Sequence, residues 1–290
     1  MFYQSIRIQI AIITKLINNT KFKIDKGDHL LDTHTHILWN IDDGSKNQCM
    51  SLQMLEIAAR SGTKAIFATP HVIERANKPS WEEIKEKTQQ LRQLCAEAQI
   101  DIMLYPGAEV QMNWELLPEL GAAGAYCLNG GRYLLVELPA AEIPAYADEF
   151  WYELELKGIT PILAHPERYQ QLRENPDLLL LWRRRGMLMQ CNSGSFTGMF
   201  GSSVCENAKV LLANGLVDLL GSDGHRSEGR NTDMSRAAAV IRQLAGEEVL
   251  RQMTETNPQA ILKNQEIELK QPKVFLEDNP KSFWQKLFGK

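Results

Sequence analysis

Seven short apolar runs recur along the chain, each followed by residues at helical spacing, and this alternation limits the architecture severely. The runs are Leu30 to Ile37, Lys64 to Thr69, Ile100 to Tyr105, Tyr133 to Leu138, Thr160 to Ala164, Met187 to Cys191 and Val217 to Leu220. Apolar segments of this length read as strands, and the stretches between them carry helix signals. Ser45-Lys46-Asn47-Gln48 and Ser80-Trp81-Glu82-Glu83 have the form of capping boxes, in which the leading side chain takes a first-turn N–H. Gly62, Gly158 and Gly215 stop helices, and Asn175-Pro176 has the cap-then-proline pattern of a helix start. A short helical stretch is expected near Trp114 to Leu120, and further helices over Ala237 to Leu244 and from Asn257 to Leu262. Strands alternating with helices imply parallel β-α units, closed as a barrel or laid out as an open sheet.

The ends of these runs carry the chemistry. Five of the six histidines, His34, His36, His71, His165 and His225, fall at the C-terminal ends of expected strands. Glu109 and Asp223 fall at such ends too, and Glu137 is one residue from another. In β/α barrels that rim is where catalytic groups sit. His34 and His36 share one face of a strand because side chains alternate with period two, and two neighbouring imidazoles can chelate one ion. Asp42 and Asp43 follow after a turn, within reach of the same basin. Imidazole and carboxylate ligands without thiolate suit manganese, iron or zinc, and several together suit a site holding more than one ion. His29 precedes the strand and is expected to be structural or solvent-exposed.

Composition excludes several other classes. A net charge of −4 argues against a general nucleic-acid surface, which would be basic. The five cysteines are odd in number, scattered, and form no Cys-x-x-Cys pair, which points to a reducing cytoplasm rather than a disulfide framework or thiolate zinc site. No cysteine is followed six residues later by arginine, as thiol-based phosphatases require; Cys127 has Arg132 at five. The phosphate loop, the G-x-S-x-G elbow and H-E-x-x-H are all missing. The apolar first seventeen residues, interrupted by Arg7 and Lys15, are too short for a span of about 20 residues and lack a signal-peptide cleavage site. They read as an extra packed strand or helix, with a peripheral membrane or partner contact as the alternative. The segment Ser282 to Phe288 is amphipathic and reads the same way. The glycines of residues 194–201 suggest a mobile loop, with a substrate lid as the second reading.

His34-x-His36, Asp42-Asp43-Gly44, Ala68-Thr69-Pro70-His71, Gly107-Ala108-Glu109, His165-Pro166-Glu167-Arg168 and Ser222-Asp223-x-His225 together resemble the polymerase and histidinol phosphatase (PHP) superfamily. Within it the likeness is to the bacterial manganese-dependent tyrosine phosphatases of capsule and exopolysaccharide loci. The resemblance covers roughly residues 30 to 265, with the motifs in order. It implies an α/β fold, a distorted seven-stranded TIM-like barrel of the PHP type. The organisation expected is an N-terminal extension (1–29), a phosphatase domain (30–268) and a C-terminal tail (269–290).

The resemblance further implies three metal ions on the C-terminal rim, Mn²⁺ foremost, with iron or zinc as alternatives. One ion would take His34, His36, Glu109 and Asp223; a second would share Glu109 and add Glu137 and His165; the third would take Asp43, His71 and His225. Related histidinol phosphatases usually carry histidine where this chain has Asp43 and Glu137, so the carboxylates favour the tyrosine phosphatase branch. Arg168 and Arg230 stand where the family has phosphate-binding arginines, a task their bidentate fork suits. The implied reaction is in-line attack on phosphorus by water activated at the ions, without a covalent phosphoenzyme. Tyrosine, with a hydroxyl pKa of about 10, leaves readily, so the proton is assigned to Asp42 or to water without a choice between them. The implied substrate is a phosphotyrosine protein, foremost a tyrosine autokinase of capsule synthesis. A small-metabolite phosphatase such as a histidinol phosphatase, a nuclease and a non-catalytic metal-binding scaffold are the competing readings.

Overall fold

β1 (Leu30–Thr35) is buried along its whole length, polar residues included, so it must lie inside the molecule with both faces covered. The computed structural model describes residues 29–270 and Pro272. The N-terminal extension before His29 and the amphipathic segment Ser282 to Phe288 lie outside the described residues. His29 itself is exposed, as expected.

Nine strands follow in order among the described residues: β1, β2 (Thr63–Ala68), β3 (His71–Val72), β4 (Met103–Pro106), β5 (Glu109–Gln111), β6 (Tyr133–Glu137), β7 (Thr160–Ala164), β8 (Leu188–Asn192) and β9 (Leu219–Gly221). Every strand pair is parallel. β1-β2-β4 form one sheet and β3-β5-β6-β7-β8-β9 the other. The surplus over the seven expected runs comes from two interruptions. Thr69-Pro70 separates β2 from β3, where proline has no N–H to donate, and Gly107-Ala108 separates β4 from β5. Gly107 N donates to Ala68 O and Glu109 N to Pro70 O, so the two sheets run on into each other across the breaks. At the far edge His36 N donates to Gly224 O (2.9 Å) and Asp223 N to His34 O (2.7 Å), which ties the end of β1 to the chain leaving β9. The parallel sheet is therefore curled.

Helices cover its outer face: α1 (Gln48–Arg60), α2 (Trp81–Glu97), α3 (Ala147–Leu156), α4 (Asp177–Arg184), α5 (Ser202–Ala213) and α6 (Ser235–Ala245). Ser80 caps α2 through Glu83 N, as its capping box predicts. The cap of α1 is a correction: Asn47, not Ser45, accepts the Met50 N–H, and the Ser45 hydroxyl goes instead to Asn47 O and Ser51. Asn175 makes no side-chain cap either, and Pro176 stands at the N-cap of α4. Residues 114–120 form turns rather than a helix. Period-two alternation divides the apolar side chains into two clusters. Leu134, Val136, Leu163, Met189 and Leu220 face the helices, while Tyr133, Leu135, Ile162, Ala164, Leu188 and Leu219 face inward. Continuing that inward face along β6 and β8 brings Glu137, Gln190 and Asn192 to the C-terminal ends of the strands. Apolar packing thus ends where the polar residues begin.

Candidate metal centre

Most expected ligands stand at or beyond the C-terminal end of a strand, but His71 and Glu109, expected at strand ends, open short strands of their own after the breaks at Thr69-Pro70 and Gly107-Ala108. β1 delivers His34 and leads to His36; β3 opens with His71, β5 with Glu109, and β6 closes with Glu137. His165 follows β7, and Asp223 and His225 follow β9. Asp43 comes from the turn after β1, where Gly44 is obligatory: a Cβ there would lie 2.2 Å from the His36 carbonyl oxygen. His165 (φ 37°) and Asp223 (φ 52°) both hold left-handed backbone, which bends the chain sharply at the two places where a ligand leaves its strand.

All nine side chains converge. They form four interlocking groups whose donor atoms lie within 4.8 Å of one another. His34 Nε2 stands 3.1 Å from Glu109 Oε2 and 3.5 Å from Asp223 Oδ1; His36 Nε2 stands 3.2 and 3.4 Å from the same two oxygens. His165 Nε2 is 2.8 Å from Glu109 Oε1. His71 turns Nδ1 to Glu109 Oε2 (3.1 Å) and Glu137 Oε1 (3.3 Å), and Nε2 to Asp43 Oδ1 (3.7 Å). His225 Nε2 reaches the same Asp43 oxygen at 3.3 Å. The grouping departs from the expected sets: Glu109 falls outside the His34-His36-Asp223 group, and His36 also joins Asp43, His71 and His225. Glu137 gathers with Glu109 and His71, and His165 with Glu109 and His34, so the second expected set is divided. Glu109 stands in the middle, its two oxygens reaching His34, His36 and His71 on one side and His165 on the other.

Electrostatics show how strongly these groups constrain one another. Burial alone would neutralise Glu109, but the imidazoles of His34 and His71 outweigh it and hold the carboxyl well below its ordinary range. Asp223 is likewise held far down against burial by the imidazoles of His34 and His36 and by Arg230. Burial opposes charge on His71, yet Glu109 raises it to about 10. His225 goes the other way, to about 4, because burial and the neighbouring His36 both disfavour its cation. Glu109 Oε2, Asp223 Oδ1, His71 Nδ1 and His225 Nε2 are buried without any hydrogen-bond partner. Buried polar atoms ordinarily find partners. Four converging exceptions, all imidazole or carboxylate, fit divalent cations.

Comparison with known proteins agrees with this geometry. The family described as capsular polysaccharide synthesis, CpsB/CapC, matches residues 30–263. The chain belongs to the CpsB/CapC family. It is 34% identical over 238 residues to the tyrosine-protein phosphatase YwqE of Bacillus subtilis, covering 82% of this chain and 93% of that one. It is 28% identical to the tyrosine-protein phosphatase CpsB of Streptococcus pneumoniae, covering 81% and 99%. A solved structure from work on YwqE of Bacillus subtilis and CpsB of Streptococcus pneumoniae, described as metal-dependent tyrosine phosphatases, superposes with a TM-score of 0.79 at 33% identity, covering 84% of this chain and 98% of that one.

In this CpsB/CapC chain a second layer of side chains fixes the first. Asp42 Oδ2 accepts from His36 Nδ1 at 2.7 Å and from His71 N, while Oδ1 accepts from Gly44 N. Burial would raise the Asp42 pKa, but His36 lowers it, which fits a carboxylate that orients the His36 imidazole. Gln190 Oε1 meets His34 Nδ1 at 3.0 Å and does the same for the other histidine of the pair. Arg168 lies 3.2 Å from Asp223 Oδ2, Arg230 contacts the same oxygen, and Asn192 Nδ2 donates to it at 2.6 Å. Both arginines therefore border the cluster, about a third exposed (34% and 28%), which leaves their forks open to an incoming anion.

Gln190, Asn192 and Glu167 are the functional positions that sequence reading missed. Gln190 and Asn192 had a signal: two polar residues at the inward register of an apolar strand. Glu167 had none, because its partners come from elsewhere in the chain. Its buried Oε1 accepts from Asn192 N and Ser195 Oγ. Those bonds hold Ser193–Phe196 as a buried helical turn, so the first half of the expected mobile loop is anchored.

Proposed function

We propose that this chain is a metal-dependent protein-tyrosine phosphatase. The observation that carries the reading is Glu109, a fully buried carboxylate set between His34, His36, His71 and His165 with one oxygen left without a hydrogen bond. His34, His36, Asp43, His71, Glu109, Glu137, His165, Asp223 and His225 would hold the metal ions, three by the motif resemblance. Four carboxylates among nine ligands favour a hard ion, Mn²⁺ before iron or zinc. When bound, such ions supply Lewis-acid chemistry at the phosphoryl group and lower the pKa of water towards about 7.

The chain's own residues do the rest. Asp42 and Gln190 keep Nε2 of His36 and His34 turned inward by occupying Nδ1. Arg168 and Arg230 bind the phosphate oxygens. No side chain is needed as a covalent nucleophile. Cys127 and Cys191 are buried and their thiols are pushed up by burial, the former to about 11. A phenol leaves without a strong acid, which agrees with Asp42 being committed elsewhere.

The hydrogen bonds between the ends of β1 and β9 support a closed, distorted seven-stranded barrel, counting β2 with β3 and β4 with β5, within a domain of residues 30–268. Free, dispersed cysteines support a cytoplasmic location. No helix among the described residues is long and apolar enough to cross a membrane. The substrate we infer is a phosphotyrosine protein, which the names of the tyrosine-protein phosphatase relatives support, and foremost a tyrosine autokinase of capsule or exopolysaccharide synthesis, which rests on the motif resemblance alone. Purified protein is tested on an aryl phosphate and on phosphotyrosine peptides with added Mn²⁺, then a chelator. Activity that survives chelation or His36→Ala overturns the metal mechanism. Faster turnover of histidinol phosphate than of phosphotyrosine peptide overturns the substrate assignment.

A further inference from the structure

Phe200 lies on the second half of the loop that follows β8, beyond the turn anchored by Glu167. It is half-buried, and its ring sits beneath both arginines of the site: the Arg168 guanidinium carbon is 4.8 Å from the ring centroid and that of Arg230 is 5.6 Å away. The two guanidiniums come from different strand ends, one after β7 and one after β9, and they repel each other. Asp223 Oδ2 draws both to one point, but a carboxylate alone leaves each fork free to swing about that point. A ring face under both restricts their planes as well as their position.

The loop is built to present this ring. Gly194 leaves room for it, since a Cβ there would come within 3.1 Å of the Phe200 ring edge and 2.9 Å of Met199 Sδ. Met199 N donates to Gly194 O and so closes the loop back on its own anchored turn. That turn is held through Ser195 to Glu167, the residue adjacent to Arg168.

We propose that Phe200 is a positioning residue: its ring holds Arg168 and Arg230 as one preformed clamp for the phosphoryl oxygens. The inference rests on the reading of those arginines as phosphate ligands. It gives the loop a part in setting substrate affinity while leaving the bond-breaking step to other groups. Aromatic faces attract guanidinium through the ring quadrupole, so tyrosine or tryptophan at this position preserves the clamp and leucine, of similar bulk, does not.

The test uses the full-length, Mn²⁺-loaded protein with inorganic phosphate as the probe, measured by calorimetry and as a competitive inhibitor of aryl phosphate hydrolysis. Phe200→Leu is expected to weaken phosphate binding and raise KM by roughly 5- to 30-fold, with kcat within about twofold and metal content unchanged. Phe200→Tyr is expected to stay within about threefold of the parent on both. In an Arg168→Ala background the effect of Phe200→Leu shrinks to less than half, because the two residues act as a unit. Equal losses for Leu and Tyr, an additive double mutant, or a Leu variant with parental phosphate affinity overturn the inference. Arginine variants that themselves leave phosphate affinity intact overturn the phosphate reading beneath it; arginine variants that weaken phosphate while Phe200→Leu does not overturn this inference alone.

Discussion

Asp42→Asn is a near-isosteric change whose cost follows from three hydrogen bonds. Asp42 accepts from three N–H donors, Gly44 N on one oxygen and His36 Nδ1 and His71 N on the other. An asparagine has one acceptor oxygen and one donor nitrogen in the same space. Whichever way the amide is turned, a donor faces a donor. The cheaper rotamer sacrifices the Gly44 bond alone, and a buried donor left unsatisfied costs about 1–3 kcal/mol. The change also removes the negative charge that favours Nδ1 protonation and keeps Nε2 free for an ion. Loss of such an outer partner typically lowers metal affinity about 10- to 100-fold. The expected result is therefore a Mn²⁺ dissociation constant raised by that factor, measured by competition with a chromogenic chelator, and a kcat largely recovered at saturating Mn²⁺. Because the Asp42 pKa is depressed in the folded chain, its stabilising contribution is present above the unfolded value of about 3.9 and is lost as pH falls through the folded one. The gap in melting temperature between parent and variant should close in acid. An affinity within about threefold of the parent would refute the positioning role, and a kcat lost at saturating Mn²⁺ with normal affinity would restore Asp42 as the proton donor.

Four further outcomes are expected. Gly44→Ala forces a Cβ against the His36 carbonyl oxygen, and overpacking of this kind costs about 1–3 kcal/mol, so its melting temperature and metal affinity fall together; a variant with parental melting and metal uptake would contradict the close approach. His71, raised to about 10 in the folded chain, stabilises metal-stripped protein fully below the unfolded pKa of about 6.5 and loses that contribution as pH rises through about 10; Mn²⁺ uptake at pH 8 should release protons, seen as a heat of binding that varies with buffer ionisation enthalpy. Alkylation of accessible thiols, and Cys191→Ala, should leave kcat unchanged, whereas a large loss would revive a thiol route. Arg183, paired with Asp218 with both side chains under a tenth exposed, is a control for stability alone: Arg183→Met leaves a buried charge unpaired at about 3–5 kcal/mol, with metal stoichiometry in the remaining folded protein unchanged.

The convergence of the nine proposed ligand side chains was largely legible because most of them stand near the end of a strand run and are of a type that binds metals, whereas Asp43, in the turn beyond β1, came with the family resemblance. Period two gives the His34 and His36 pair outright, and parallel topology gathers all strand ends on one rim, so no long-range knowledge was needed to bring them together. What needed coordinates is the way ligands share neighbours. Glu137 meets His71 instead of His165 because the break at Thr69-Pro70 offsets β3 from β2 and turns its histidine inward along the sheet. Asn47 replaces Ser45 as a helix cap because Ser45 is drawn inward by Ser51. Asp42 was open as a proton source, and its bonds from His36 Nδ1 and His71 N, beside the local one from Gly44 N, show a carboxylate serving His36. Glu167 and Phe200 act through contacts with side chains from other segments, so their parts could not be read locally, whereas Gln190 left only the trace of a polar residue at the inward register of its strand.

Asp223 has a consequence of its own. One of its oxygens faces His34 and His36, and the other faces Arg168, Arg230 and Asn192. A single carboxylate is thus divided between a cation-binding half and an anion-binding half of the same basin. An anion that draws the two guanidiniums towards itself leaves Asp223 less neutralised and a stronger donor to a cation on its other side. Thermodynamic reciprocity then requires the converse, since the factor by which phosphate tightens Mn²⁺ equals the factor by which Mn²⁺ tightens phosphate. At limiting metal, phosphate would then raise the affinity of this basin for a divalent cation.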